Sequence, residues 1–254
     1  MTDQTIYARF ARFYDAYVGD YDLDLPFYLD LAASCRAPIL EVGCGSGRVL
    51  LPLLRAGHAV TGVDISDEML LLAKTKLDAA HLAGNCILLN YNFVAGPLPA
   101  QYGLALVTYY TFNYLLTEHD QLAFLRHVAA SLEPGARIGL HLFYPGALSR
   151  PEIAGQWIEK GTYQVDGKEI RLRDRRSMLD ACTEERLQVF AYGSGQREEI
   201  RTLRRYVPMA EAARLLVACG FSSPVVTHAF DPRRLVRIDE QRAAPGEFLL
   251  VAEK

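Results

Sequence analysis

From Pro38 to Phe143, short unbroken apolar runs alternate with stretches in which apolar residues return every three or four positions. Runs of about four to eight apolar residues fit strands covered on both faces, and the wider spacing fits helices with one buried face. The pattern predicts strands at Ala37–Val42, His58–Val63, Cys86–Leu89, Leu104–Tyr109 and Arg137–Leu142. It predicts helices at Arg48–Ala56, Asp67–His81 and Glu118–Leu132, the last stopped by Glu133-Pro134-Gly135, since glycine and proline end helices. Strand and helix in alternation give a parallel sheet with helices on both faces, an α/β architecture.

Upstream, Tyr7, Phe10, Phe13, Tyr14 and Tyr17 at helical spacing predict a helical lid over residues 1–35, packed against or over that sheet. Beyond Gln156 the period drops to two. The segment Tyr163–Arg173 turns at Asp166-Gly167, and Arg186–Tyr192 and Glu199–Tyr206 follow on either side of Gly193-Ser194-Gly195. These signals predict an antiparallel β insert over residues 156–207. A helix from Pro208 to Gly220 and strands near Pro224–Ala229 and Glu247–Ala252 complete one domain over residues 1–254, with proline and glycine marking the helix ends.

Composition narrows the partners. Half the residues are hydrophobic (50%) and 22% are charged, enough apolar material for a sizeable core. A net charge of −3 provides no field toward phosphate backbones or anionic lipid, so neither nucleic acid nor membrane is expected. No apolar run reaches the roughly 20 residues of a membrane span. Met1-Thr2-Asp3-Gln4 lacks the basic and apolar segments of a secretion signal, which gives a cytoplasmic expectation. Five scattered cysteines, Cys35, Cys44, Cys86, Cys182 and Cys219, fit neither a disulfide frame nor a metal site and are read as small buried apolar residues.

The segment with chemical content is Ile39-Leu40-Glu41-Val42-Gly43-Cys44-Gly45-Ser46-Gly47-Arg48, at the first strand-to-helix turn. Alternate glycines let a ligand approach the backbone and expose N–H groups at a helix start. A dinucleotide fingerprint needs glycine where Arg48 stands, so the spacing points away from NAD. Glu41, two positions before the first glycine, repels pyrophosphate and suits a cationic or hydroxyl-bearing ligand. Asp64, at the end of the second strand, can accept hydrogen bonds from both hydroxyls of a ribose.

At these residues the chain resembles the class I S-adenosylmethionine-dependent methyltransferases. The resemblance rests on the E-x-G-x-G-x-G loop, on Gly62-Val63-Asp64-Ile65-Ser66 with Met69, and on Leu132-Glu133-Pro134-Gly135 before the fifth strand. It implies a Rossmann-like seven-stranded sheet in the order 3-2-1-4-5-7-6 with strand 7 reversed, and S-adenosylmethionine as cofactor across strands 1, 2 and 4. Gly43, Gly45 and Gly47 would then line the methionine part, Asp64 would hold the ribose, and Ile65 and Met69 would flank the adenine. Glu41, Cys44, Phe93 and Tyr109 complete the implied cofactor set. Where the family usually has aspartate to meet the adenine amino group, this chain has Asn90-Tyr91-Asn92-Phe93, and Asn92 is assigned that role. Tyr102-Gly103 replaces a frequent Phe-Asp pair.

Arg12-Phe13-Tyr14-Asp15, Tyr17, Tyr21 and the β insert look most similar to a narrower group containing glycine and amino-sugar N-methyltransferases. That likeness implies a small-molecule acceptor, a tyrosine, matched to Tyr14, near the cofactor carboxylate, and a homodimer through the insert. Methyl transfer needs alignment and exclusion of water rather than a covalent enzyme intermediate. Thr108–Tyr114 supplies an aromatic wall, with Tyr109 favoured as a site residue over Phe112 and Tyr114. His141 is the candidate proton acceptor, against the alternative of a satisfied core histidine. Trp157 and His228 are further candidates.

Arg171, Arg173, Arg175 and Arg176, with Arg201, Arg204 and Arg205, form the basic clusters. Period-two spacing puts the first three on one strand face, where a solvated or dimer surface is favoured over an anionic substrate site. The tetrapeptide of amino-directed DNA methyltransferases and the Pro-Cys nucleophile of cytosine C5 enzymes are missing, as is a carboxylate set for a metal-dependent catechol site. The reading is a methyltransferase acting at nitrogen or oxygen of a small molecule, with nitrogen slightly preferred. The competing readings are a cofactor-binding assembly protein or sensor without catalysis, and an NAD-type oxidoreductase.

Overall fold

The computed structural model describes residues 4–18, 21–145, 155–222, 224–228, 230–231, 234–238 and 246–254. The first half of the chain runs α1 (Gln4–Val18), α2 (Leu25–Ala33), β1 (Ile39–Val42), α3 (Leu50–Arg55), β2 (Val60–Asp64), α4 (Asp67–Ala79), β3 (Cys86–Asn90), β4 (Tyr102–Val107) and α5 (Glu118–Ala130). The second half runs β5 (Leu132–Tyr144), β6 (Trp157–Val165), β7 (Lys168–Met178), β8 (Thr183–Tyr192), β9 (Arg197–Arg205), α6 (Met209–Ala218), β10 (Val225–Thr227), β11 (Val236–Arg237) and β12 (Gly246–Glu253). No helix among the described residues is long and apolar enough to cross a membrane.

The large sheet has the order β11-β10-β12-β5-β4-β1-β2-β3. Strands β1 to β5 pair in parallel, and β12 runs antiparallel to β5 and β10. The expected order 3-2-1-4-5-7-6 is present, extended at the edge by β11, whose two residues are too few to leave a periodic signal. Alternate residues of the central strands feed two packing layers. Leu40, Val42, Ala105 and Val107 face Phe124, Val128 and Leu215, whereas Ile39, Leu104 and Leu106 face Phe27, Tyr28 and Leu53. Burial on both sides explains why these strands read as continuous apolar runs.

Three boundaries differ from expectation for local reasons. Helix α3 starts at Leu50 rather than Arg48 because Gly43–Val49 is consumed by consecutive turns. Strand β4 ends at Val107, and Tyr109 and Tyr110 follow it at positive φ (44° and 65°). Glu133-Pro134-Gly135 does not separate α5 from a strand starting at Arg137. It is an irregularity within β5, since Tyr102 pairs with Leu132 and Leu104 with Arg137. Tyr102 is buried at the start of β4. Of the cysteines only Cys44 is fully buried; the other four are half-buried and free.

Strands β6 to β9 form a second, antiparallel sheet in sequence order. Asp166 and Gly167 both take positive φ (51° and 72°), the conformation of a two-residue hairpin turn. Helix α1 lies across one face of this sheet, where Phe13 stacks on Phe190 with ring centroids 4.0 Å apart. Phe10, Ile170, Leu172 and Ile200 join that cluster, and Met69 of α4 ties it to the main domain. Each large apolar side chain buried there stabilises the arrangement by about 1.5–3 kcal/mol. Helix α1 and the small sheet together therefore roof the carboxyl ends of β1, β2 and β4.

Candidate active site

The floor is made by the turn after β1. The Gly43 and Cys44 amides donate to the Val63 carbonyl at 2.7 and 3.0 Å, pinning the turn to β2. A Cβ on Gly43 (φ +75°) would lie 2.3 Å from Thr111 Oγ1, and one on Gly45 (φ +52°) would lie 3.8 Å from the Tyr14 ring. Both glycines line a cavity of about 1250 Å³. Gly47 does not; a Cβ there would press on Leu51 and Ala73, so it serves the packing of the turn against α4. Cys44 also lies behind the turn, against Gly62.

Asp64 ends β2 with its carboxylate in the cavity wall. It accepts from the amides of Gly45 (2.9 Å) and Ser66 (3.0 Å), which hold its orientation and leave acceptor capacity free. Burial pushes its pKa up, against the lowering effect of those amides. Ser66 caps α4 by accepting from the Met69 amide at 3.3 Å, which sets Ile65 and Met69 beside Asp64 on the cavity wall. Asn92 and Phe93 line the same space. The Asn92 side-chain carbonyl already accepts from the Val94 amide at 2.9 Å, so one of its lone pairs is committed to its own turn.

Glu41 and His141 lie outside the cavity wall. Glu41 is buried, accepts from Thr108 Oγ1 at 3.2 Å, and has no partner for Oε2 among the described residues. Burial pushes its pKa up to about 8 against the pull of Arg48 and of the Thr108 hydrogen bond. It is absent from the cavity lining. His141 is fully buried, with Nδ1 2.9 Å from the Tyr28 hydroxyl and Nε2 3.8 Å from Glu247. Its route to the cavity runs through Glu247, which is on the wall and accepts from Tyr21 (2.8 Å) and Tyr110. Burial raises the Glu247 pKa, but His141 and the two hydroxyls outweigh it and hold the carboxyl below its ordinary range. Tyr109 is on the wall, its ring 5.1 Å from the Arg48 guanidinium, which is itself locked to buried Asp24 at 2.6 and 2.8 Å.

Residues 39–135 match a family of known proteins described as a methyltransferase domain. Over those residues the chain is similar to a methyltransferase domain. Over its whole length the fold is similar to that of the CcbJ methyltransferase of Streptomyces caelestis, with a TM-score of 0.78, 22% identity and 98% of each chain covered. It is also similar to a S-adenosylmethionine-bound amino pentose methyltransferase of Micromonospora echinaspora, with a TM-score of 0.65, 19% identity, and 97% and 94% of the two chains covered. In sequence it is 30% identical over 125 residues to an uncharacterized methyltransferase of Bacillus licheniformis, spanning 49% of this chain and 54% of that protein. The chain thus spans about half the length of the curated relatives it matches.

What roofs the cavity was only partly visible in the sequence. Tyr7, Phe10, Tyr14 and Tyr17 of α1 and Arg176, Arg186 and Arg204 of the small sheet line the cavity from above. Arg186 is buried and donates to Asp174 at 2.9 and 2.5 Å and to the Tyr17 hydroxyl at 2.6 Å. Burial pushes the Tyr17 phenol up, but the Arg186 charge outweighs it and leaves the group below its ordinary value. Arg171, Arg173 and Arg175 take the opposite face, where Arg173 and Arg175 lie over exposed Trp157. Trp157 therefore lies outside the cavity wall, and His228 bonds the Glu247 carbonyl at 3.1 Å without lining the cavity. The signal for the missed arginines is alternation: Ile170, Leu172, Asp174 and Arg176 share one face of β7, so charges continue an apolar stripe.

Proposed function

We propose that the chain transfers a methyl group from S-adenosylmethionine to a small molecule, at nitrogen in preference to oxygen. The observation that carries this reading is the pairing of a side-chain-free floor at Gly43 and Gly45 with the Asp64 carboxylate in one cavity. Its volume of about 1250 Å³ exceeds the roughly 300–1,000 Å³ of a pocket for one ligand, which leaves room for an acceptor beside the cofactor. The residues fit the group: Asp64 can accept from ribose hydroxyls, Ile65, Met69 and Phe93 offer apolar surface to adenine, and the glycines admit the amino-acid end. When bound, S-adenosylmethionine supplies a methyl carbon on a positively charged sulfur.

The protein has two tasks toward that carbon: to align an acceptor opposite the sulfur and to keep water out. Tyr7, Tyr14 and Tyr109 close the cavity with ring faces, which attract a sulfonium charge. An amine must shed its proton before it can attack. Glu247, ionised at neutral pH, attracts and orients an ammonium group, and the Glu247–His141 pair offers that proton a place. An alcohol acceptor has no such charge to match Glu247, which supports the nitrogen preference.

Titration calorimetry with S-adenosylhomocysteine is expected to show one site per chain, and absence of heat would remove the reading. Release of S-adenosylhomocysteine during incubation with primary amines and their matched alcohols tests the acceptor element. Turnover is expected with amines, and turnover confined to alcohols would overturn the nitrogen preference.

A further inference from the structure

The polar half of the small sheet's inner face is not explained by binding a sulfonium nucleoside. Its apolar half, Ile170, Leu172, Phe190 and Ile200, packs under α1. The other half carries Asp174, Arg176, Glu184, Arg186 and Arg204 in alternation with outward residues. Three guanidiniums thus meet two carboxylates on this face. Arg186 is satisfied by Asp174 and Tyr17. Arg204 is not: it is 7% exposed, its Nε has no hydrogen-bond partner, and it rests over the Tyr114 ring at 5.4 Å. Glu184 stands opposite it in the ladder and its charge favours the guanidinium, but the two make no direct ion pair or hydrogen bond, so the Arg204 Nε is left free. Arg176 lies 3.8 Å from Asp174 and likewise has a buried Nε without a partner.

A buried cation is costly unless it is paired, and both Arg176 and Arg204 reach the cavity wall. We infer that Arg204, with Arg176 beside it, forms a subsite for an anionic group on the acceptor, a carboxylate in the first instance. A planar guanidinium offers a carboxylate two parallel donors, and the aromatic wall around it suits an apolar body between that anion and the reacting nitrogen. Glu247 and Arg204 then mark two ends of the acceptor, one cationic and one anionic. This inference rests on the methyltransferase reading for the identity of the cavity as an acceptor site.

The test uses the full chain saturated with S-adenosylhomocysteine, titrated with benzoate and with its neutral counterpart benzamide. Benzoate is expected to bind at least tenfold more tightly. Arg204→Gln should abolish that difference while leaving S-adenosylhomocysteine affinity within about twofold, and outward-facing Arg173→Gln should preserve it. Equal binding of the two probes, or no binding of either, with S-adenosylhomocysteine still bound, would overturn the subsite and leave the methyltransferase reading intact. Failure of S-adenosylhomocysteine itself to bind would instead overturn that reading. A tenfold loss of S-adenosylhomocysteine affinity in Arg204→Gln, with benzoate discrimination retained, would make Arg204 a cofactor residue and overturn the subsite. If Arg204→Gln does not fold, Arg176→Gln decides: a severalfold loss confined to benzoate supports the subsite, and unchanged benzoate binding refutes it.

Discussion

The floor of the cavity and its roof are made of different material. Below, backbone amides and one carboxylate sit at the ends of parallel strands, and their placement follows from a turn that tolerates no side chain at Gly43. Above, long charged side chains alternate along antiparallel strands, and their placement follows from parity. A floor of this kind suits a ligand part that never changes, while a roof of side chains can be altered one residue at a time without disturbing the turn. On the proposed reading, the floor answers to the cofactor and the roof to the choice of acceptor.

The sharpest way to break the comparison is Asp174→Asn. Asp174 is 1% exposed and is the carboxylate partner of Arg186, so the substitution leaves a buried guanidinium without its counter-charge. Loss of one partner of a buried pair costs about 3–5 kcal/mol, which should lower the melting temperature by roughly 10 °C for a chain of this size. S-adenosylhomocysteine affinity, measured below the new transition, should stay within about twofold. A comparable loss of cofactor affinity would mean that floor and roof are not separable.

The converse variant is Asp64→Asn. Its carboxylate faces the cavity, and hydrogen bonds to a charged acceptor contribute about 1.5–3 kcal/mol. The expected result is a 10- to 100-fold weaker S-adenosylhomocysteine affinity by calorimetry with little change in the melting temperature of the unliganded chain. Unchanged affinity would remove Asp64 from the ribose role.

What could be read from the sequence divides along the same line. The strand-to-helix turn, Asp64 and the order of the parallel strands leave marks within a few residues of one another, because backbone geometry demands glycine and buried strands demand unbroken apolar runs. The roof leaves weaker marks. Arg176 follows Arg175 in sequence but faces the other way, and only tracking Ile170 and Leu172 forward by twos separates them. Glu247 looks like an ordinary strand position until β12 is paired with β5, which sets it opposite Phe143. His141 and Glu41 could be identified as unusual but not placed, since being on the cavity wall or off it depends on tertiary packing.

Glu41 gives a smaller and pH-dependent effect on the floor. Its pKa rises from about 4.5 to about 8 in the folded chain, so between those values the native state holds a proton that the unfolded state has lost. Stability from this group is full below pH ~4.5 and declines as pH rises toward 8. Glu41→Gln removes the dependence. It should raise the melting temperature at pH 8 by an amount equivalent to roughly 1–3 kcal/mol and change little at pH 5. A benefit that is equal at both pH values would show that the carboxyl is ionised throughout.

The smallest effect is expected from Arg175→Gln, and its value lies in the contrast with its neighbour. Arg175 lies over Trp157 on the outward face of β7, with the guanidinium 5.2 Å from the ring centroid. Such exposed cation–π contacts contribute about 0.5–1 kcal/mol at most, and a surface substitution of this kind usually stays within about 0.5 kcal/mol. Thermal melting should therefore barely move, and benzoate should still bind ahead of benzamide. Arg176→Gln, one residue along and on the cavity side, should leave the melt similarly unaffected yet weaken benzoate severalfold. If the two variants behave alike in the titration, parity along β7 does not govern acceptor binding, and the roof is a charged surface rather than a selective one.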